Sequence, residues 1–285
     1  MKKTLSIILS ALLIAGLAGC GTKKDTGTTA KAQTENKKVI KVGATPIPHK
    51  EILQKVVKPL LEKQGYTLEI VEYNDYVLPN TALAEGELDA NFFQHKPYLD
   101  NMVKEKNLDL TYTVEVHLEP MAVYSKKIKT IDELKDGAVV AVPNDPTNET
   151  RALKILEAQG LFKLKAGVEA ATKLDIDKAS NTKNIEIKEV DAAQIPRSLV
   201  DFDAAVINSN YAMKAELIPN TDSIIDASGK HVLESTENNP YNNILAVRKE
   251  DKDKPYIKAL SDALTSPEVK KFIEDNYKGS VIPAF

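Results

Sequence analysis

From residue 39 onward, short unbroken apolar runs alternate with longer stretches in which apolar residues recur every three to four positions. Val39 to Gly43 predicts a buried strand. Ile52, Leu53, Val56, Val57, Leu60 and Leu61 then fall on one face of a helix that stops near Gly65. Strands are predicted over Thr67 to Glu72 and Leu88 to Asn91, with helices over Val77 to Glu85 and Pro97 to Lys106. Thr111 to His117 and Met121 to Tyr124 read as two extended stretches separated only by Leu118-Glu119-Pro120. After Lys126 the alternation restarts. Thr130 to Leu134 reads as a short capped helix, Val139 to Val142 as a strand, and Asn148 to Gln159 as a helix stopped by Gly160. Ile185 to Val190, Ala192 to Val200, Ala204 to Asn208 and Ser209 to Glu216 follow as strand, helix, strand, helix. Ile244 to Val247 predicts a last strand, and helices over Tyr256 to Leu264 and Pro267 to Asn276 close the chain. This order implies an α/β protein with mostly parallel sheets. Two such bodies joined by extended crossings imply two lobes, a hinge and an interlobe cleft.

The first 38 residues break this pattern. Lys2 and Lys3 precede a 14-residue apolar run from Leu5 to Ala18, which ends at Gly19-Cys20-Gly21. As a helix it would rise roughly 21 Å, less than the roughly 30 Å hydrocarbon core, so it reads as a signal peptide over residues 1–19. Leu17-Ala18-Gly19-Cys20 resembles the lipobox of bacterial lipoproteins, which implies lipidation of Cys20, the chain's only cysteine. Its other reading is an incidental small residue at an ordinary cleavage site. Thr22 to Lys38 lacks apolar periodicity, so residues 20–38 are expected to be a lipidated cysteine and a flexible tether. Stably held acyl chains would make the chain a membrane-anchored protein on the extracytoplasmic face.

Composition narrows the function. A net charge of −3 lacks the basic excess that nucleic acid requires, and four His with one Cys leave little for a zinc or iron–sulfur site. No G-x-S-x-G, H-E-x-x-H, P-loop or dinucleotide fingerprint is present, and Asp175-Ile176-Asp177 lacks the Gly and Glu that an EF-hand needs. No catalytic residue, metal ligand or cofactor is therefore expected. Adhesive surface lipoproteins would share the tether, and some enzymes share the two-lobed fold.

Longer motifs carry more information. Asn74-Asp75-Tyr76-Val77-Leu78-Pro79-Asn80, Asp89 to Leu99, Tyr124-Ser125-Lys126-Lys127, and Val142 to Asn148 with Arg151 resemble the methionine-binding lipoproteins of the MetQ/NlpA family. Gln194 to Leu199, Ala205 to Asn208 and Pro240-Tyr241-Asn242-Asn243 match as well. The resemblance implies the two-lobed, type II periplasmic-binding-protein-like fold. It also implies a role as substrate-binding lipoprotein of an ABC importer, with permease and ATPase subunits as partners and methionine as ligand. L-methionine leads, with D-methionine, the sulfoxide or a methionyl peptide as alternatives. The first lobe is expected over 39–119 plus 243–285, and the second over 120–242.

By the same resemblance, Arg151, Asn208 and Asn243 would hold the ligand's polar end, and Tyr76, His95 and Tyr98 its thioether. Phe92, Phe93, Asn144 and Asn148 lie beside these positions and are possible lining residues. Arg151 sits in the first turn of a predicted helix, where a guanidinium and backbone N–H groups can converge on a carboxylate. From spacing alone it reads more simply as a solvated helix residue. Tyr76 and Tyr98 likewise read as core aromatics, His95 as a loop histidine, and both asparagines as turn residues. The chain departs from the family pattern at Asn242 and Phe93, and the latter could alter pocket size.

Overall fold

The computed structural model describes residues 37–285; the expected signal peptide, Cys20 and the expected tether up to residue 36 lie outside the described residues. Six strands form the larger sheet: β1 (Val39–Ala44), β2 (Thr67–Glu72), β3 (Ala90–His95), β4 (Leu110–Leu118), β9 (Asn242–Arg248) and β10 (Ile282–Pro283). Their order is β10-β4-β9-β3-β1-β2. Four strands form the smaller: β5 (Ala122–Tyr124), β6 (Val139–Pro143), β7 (Glu186–Val190) and β8 (Ala204–Ile207), in the order β5-β8-β6-β7. The chain passes between the sheets over Glu119-Pro120-Met121 and again just before Asn242. The fold is two-lobed and periplasmic-binding-protein-like.

The larger sheet is buried on both faces. In β9, Leu245 and Val247 pack on one side with Ile52, Leu53, Val57 and Leu61, while Ile244 and Ala246 pack on the other with Leu83, Leu88 and Leu99. β9 is therefore apolar from Ile244 to Val247, the pattern of a strand covered by helices on two faces. The helices Pro255–Leu264 and Pro267–Tyr277 complete the first side through Ile257, Leu260, Val269 and Ile273. Met121, Val140, Val142, Leu153 and Leu156 form the corresponding core of the smaller sheet.

Several expectations are corrected. The sheets are mixed: β1 pairs in parallel with β2 and β3, but β9 runs antiparallel to β3 and β4, and β5 antiparallel to β8. Apolar runs report burial, which carries no strand direction. The predicted strand at Leu88 to Asn91 instead spans Ala90–His95, all buried, because the next helix starts only at Lys96. Residues 195–201 form 3₁₀ turns around Pro196 in place of a regular helix. Thr111 to His117 is no crossing but part of β4 inside the larger sheet. The helical face around Leu53–Val57 is as expected, although its turns widen to π geometry before Lys58–Lys63.

Candidate functional site

The parallel strands β1, β3, β6 and β8 deliver their following residues to one place between the two sheets, the usual position for ligands in α/β folds. There a cavity is lined from one side by Tyr76, Phe93, His95 and Tyr98, and from the other by Asn148, Arg151 and Asn208. Glu119, at the first crossing, and Asn243, in β9 beside the second, complete its floor.

Local chemistry aims the aromatic side. β3 carries a bulge between Phe92 and Gln94 where it faces β9, so Phe93 turns to the cavity. Phe92 stays in the core, edge-on to His49 at 4.7 Å and to His117 at 5.3 Å, and does not line the cavity. His95 ends β3 and caps the helix Lys96–Lys106, its Nδ1 accepting from the Tyr98 N–H at 3.1 Å. That bond leaves Nε2–H to donate to Asn148 Oδ1 at 3.1 Å, across the cleft. Burial, then the nearby Arg151 charge, lowers the His95 pKa to about 3, so the ring is neutral. Tyr76 and Tyr98 meet at 5.8 Å between centroids, and Phe93 lies 5.9 and 6.2 Å from them. Tyr98 Oη donates to the Tyr76 carbonyl at 3.1 Å, and Tyr76 Oη to Asn210 Oδ1 at 2.6 Å. Their hydroxyls are thus anchored, and ring carbon faces the cavity.

On the polar side, Asp145 and Pro146 open the helix Pro146–Ala158 and place Asn148 and Arg151 in its first turns. Asn148 Oδ1 accepts from His95, from Arg151 Nη1 at 3.1 Å and from Asn208 Nδ2 at 2.9 Å. Arg151 is not solvated. Glu234 takes its Nε at 2.8 Å and its Nη2 at 2.5 Å, the Glu119 carbonyl takes Nη2 at 3.0 Å, and Tyr241 stacks on the guanidinium at 4.5 Å. Burial works against this cation, and Glu234 more than offsets it, so its pKa is raised. Asn208 is buried, and its Oδ1 accepts no hydrogen bond from the described residues.

Behind the cavity, Glu119 Oε1 accepts from His117 Nε2 at 2.8 Å and lies 3.2 Å from His49 Nε2. Thr45 Oγ1 lies 2.7 Å from His49 Nδ1, and Asn243 Oδ1 lies 3.1 Å from its Nε2. Donor atoms of His49, His117 and Glu119 all lie within 4.8 Å of one another, a spacing that a metal could use. Their direct hydrogen bonds already satisfy the facing atoms without one. Burial lowers the pKa of His49 to about 4 and of His117 to about 3, and raises that of Glu119.

The structure thus gathers Tyr76, His95, Tyr98, Arg151, Asn208, Asn243, Phe93 and Asn148 around one cavity. Asn144 is exposed on the loop before the helix and does not line it. Sequence reading missed Glu119, Glu234, Asn210 and Tyr241. A lone acid inside Leu118-Glu119-Pro120-Met121, flanked by apolar strands, was a signal for the first. Glu234 lies in a polar loop that offers none.

Among the described residues no helix is long and apolar enough to cross a membrane. The family model described as NlpA lipoprotein matches residues 40–285. The methionine-binding lipoprotein MetQ of Bacillus subtilis is 42% identical, over 99% of each chain, and the D-methionine-binding lipoprotein MetQ of Salmonella typhi is 39% identical, over 98% of this chain and 97% of its own. A nutrient-binding protein from Burkholderia cenocepacia, solved bound to methionine, is 49% identical with a TM-score of 0.80, covering 86% of this chain and 100% of its own. The match spans both sheets and every cavity-lining residue, and the chain belongs to the NlpA lipoprotein family.

Proposed function

We propose that this chain is the substrate-binding lipoprotein of an ABC importer, holding methionine in the interlobe cleft and delivering it to a membrane permease driven by ATPase subunits. The observation that carries the reading is the polarity of the cavity: an aromatic corner of Tyr76, Phe93 and Tyr98 faces a polar end of Arg151, Asn208 and Glu119. Methionine has matching ends. Its polarisable sulfur gains about 0.3–1.5 kcal/mol per aromatic contact, and its charged end needs fixed polar partners once desolvated. We read the cleft as a binding and not a catalytic site, because its polar groups hold one another and the ligand's ends. Residues 39–119 plus 243–285 would form one lobe and 120–242 the other. Lipidated Cys20 would anchor both, through the tether, to the extracytoplasmic face of the membrane.

Calorimetry with a panel of amino acids tests the proposal. L-methionine should bind, and norleucine should bind about 1 kcal/mol or somewhat more weakly, since shape is kept while sulfur is lost. Glutamate should not bind, because its side-chain charge would be buried without a partner. The relative's name in Salmonella typhi favours D-methionine as the second reading, so both enantiomers belong in the panel. Equal affinity for glutamate and methionine would sink the aromatic-corner assignment.

A further inference from the structure

Arg151 is the one permanent cation among the described residues lining the cleft, and its charge is already matched. Glu234 holds one edge of the guanidinium, through Nε and Nη2, from behind, and the pair is buried, with 3% and 9% of the side chains exposed. A ligand carboxylate approaching this guanidinium meets an ion pair in place of a free cation. Glu119 is in the opposite situation. Its carboxylate lines the cavity, is buried, and leans on two imidazoles that are neutral and bring no charge. Arg151 reaches its carbonyl, and the guanidinium's own charge is taken up by Glu234. The polar end therefore has one more acid than cation, beside a second acceptor without a donor, Asn208 Oδ1. A buried carboxylate that lacks a cation and a buried carbonyl that lacks a donor are both costly, and one group relieves both.

We infer that Glu119, held in position by His49 and His117, receives the ammonium of an α-amino-acid ligand together with Asn208 Oδ1, so that the cleft selects a free amino group more stringently than a free carboxylate. The inference rests on the amino-acid reading of the cleft and adds to it the group that is discriminated. An ammonium offers three donors and one positive charge, which suits a carboxylate, an amide oxygen and a tight polar floor. The two histidines act as positioning residues: His117 Nε2 donates to Glu119 Oε1, and His49 Nε2, which bonds Asn243 Oδ1 while Nδ1 meets Thr45 Oγ1, packs 3.2 Å from the same carboxylate oxygen. The carboxylate of the ligand would be left to the remaining edge of Arg151 and to amide groups, which tolerate a neutral replacement better than Glu119 tolerates loss of its cation.

Calorimetry on the lipidated chain in detergent, at about pH 6 where α-amino groups are protonated, compares three probes. They are methionine, its desamino analogue with hydrogen in place of the ammonium, and methionine amide. The desamino analogue should bind on the order of 100-fold more weakly, as expected when one partner of a buried charge pair is removed, and the amide roughly 10-fold or less. In Glu119→Gln the gap between methionine and the desamino analogue should shrink by roughly tenfold or more, which general loosening of the cleft would not produce. If that variant does not fold, the three probes on the unaltered protein still decide. A desamino analogue within about threefold of methionine, or an amide that loses more than it, would overturn the inference while leaving methionine binding intact. Failure of methionine itself to bind would overturn the functional reading, and the inference with it.

Discussion

Arg151 shows how a neighbour changes what a residue can be expected to do. As a solvated or purely ligand-facing side chain it could be truncated with little effect on the fold. Paired inside the protein with Glu234, it cannot. Arg151→Ala should cost about 2–5 kcal/mol of methionine binding, read by calorimetry. It should also lower the urea midpoint, because it strands a buried carboxylate at a cost of about 3–5 kcal/mol. Arg151→Met combined with Glu234→Gln removes both charges and should recover much of the stability without recovering binding. A double variant that binds methionine like the unaltered chain would return Arg151 to a structural role. Phe92 and Phe93 carry the same lesson in apolar form. The two adjacent rings look equivalent in the sequence, and strand alternation together with the bulge opposite Leu245 and Ile244 sends one to the core and the other to the cavity.

At the scale of elements, His49 in the helical turn Pro46–Lys50, His117 in β4 and His95 at the end of β3 pin separate segments beneath the cleft as neutral imidazoles. Their pKa values, lowered by burial to about 4, about 3 and about 3, lie below the ordinary value near 6.5 that the unfolded chain restores. Between about pH 6.5 and pH 4 the unfolded state therefore binds more protons. Stability falls as pH drops through that window, by roughly 1.4 kcal/mol per unit for each histidine that stays neutral. Glu149, pushed up to about 7 by burial, and Glu119, also raised, act in the opposite direction, because the folded state protonates them first. Three imidazoles against two carboxyls should still leave a lower urea midpoint at pH 5 than at pH 7. A midpoint that rises on acidification would show that the imidazoles take up protons without unfolding. The helix that carries Arg151 opens at Pro146 behind the cap Asp145, two residues before the predicted start at Asn148, because the Asp145 side chain accepts from the Asn148 N–H.

For the whole molecule, the two sheets meet in a closed arrangement bridged by direct hydrogen bonds. His95 reaches Asn148, Tyr76 reaches Asn210, and Tyr211 Oη reaches the Asn74 carbonyl at 3.3 Å. Among the described residues two connections join the sheets, so a hinge at Glu119-Pro120-Met121 and before Asn242 can open the cleft without disturbing either core. A ligand stabilises closure only by its difference in affinity for the two states, and contacts at both ends supply that difference. Methionine should therefore reduce the radius of gyration in small-angle scattering. Asn210→Ala, which removes the partner of Tyr76 Oη, should enlarge the ligand-free form. One unchanging distance distribution between labels on the two lobes, with and without methionine, would defeat the hinge. The anchor is tested apart from the fold: Cys20→Ser should abolish fatty-acid labelling.

Local properties of the chain were readable without a fold. Burial of strands such as Val39–Ala44, the apolar face from Ile52 to Leu61, the helix starts and the restart after Lys126 all follow from hydrophobic spacing and capping chemistry, which act between neighbours in sequence. The family motifs added Tyr76, His95, Tyr98 and Arg151 as residues that belong together. Strand direction and order, the bulge that separates Phe92 from Phe93, and the pairing of Arg151 with Glu234 across 83 positions were decided only by the tertiary structure. So was the burial of Glu119 between two histidines. The reason is common to all of them: each depends on desolvation and contact between distant segments. A carboxylate in a polar loop and one facing a closed cavity have the same letter, and their chemistry diverges only when the fold removes water from one of them.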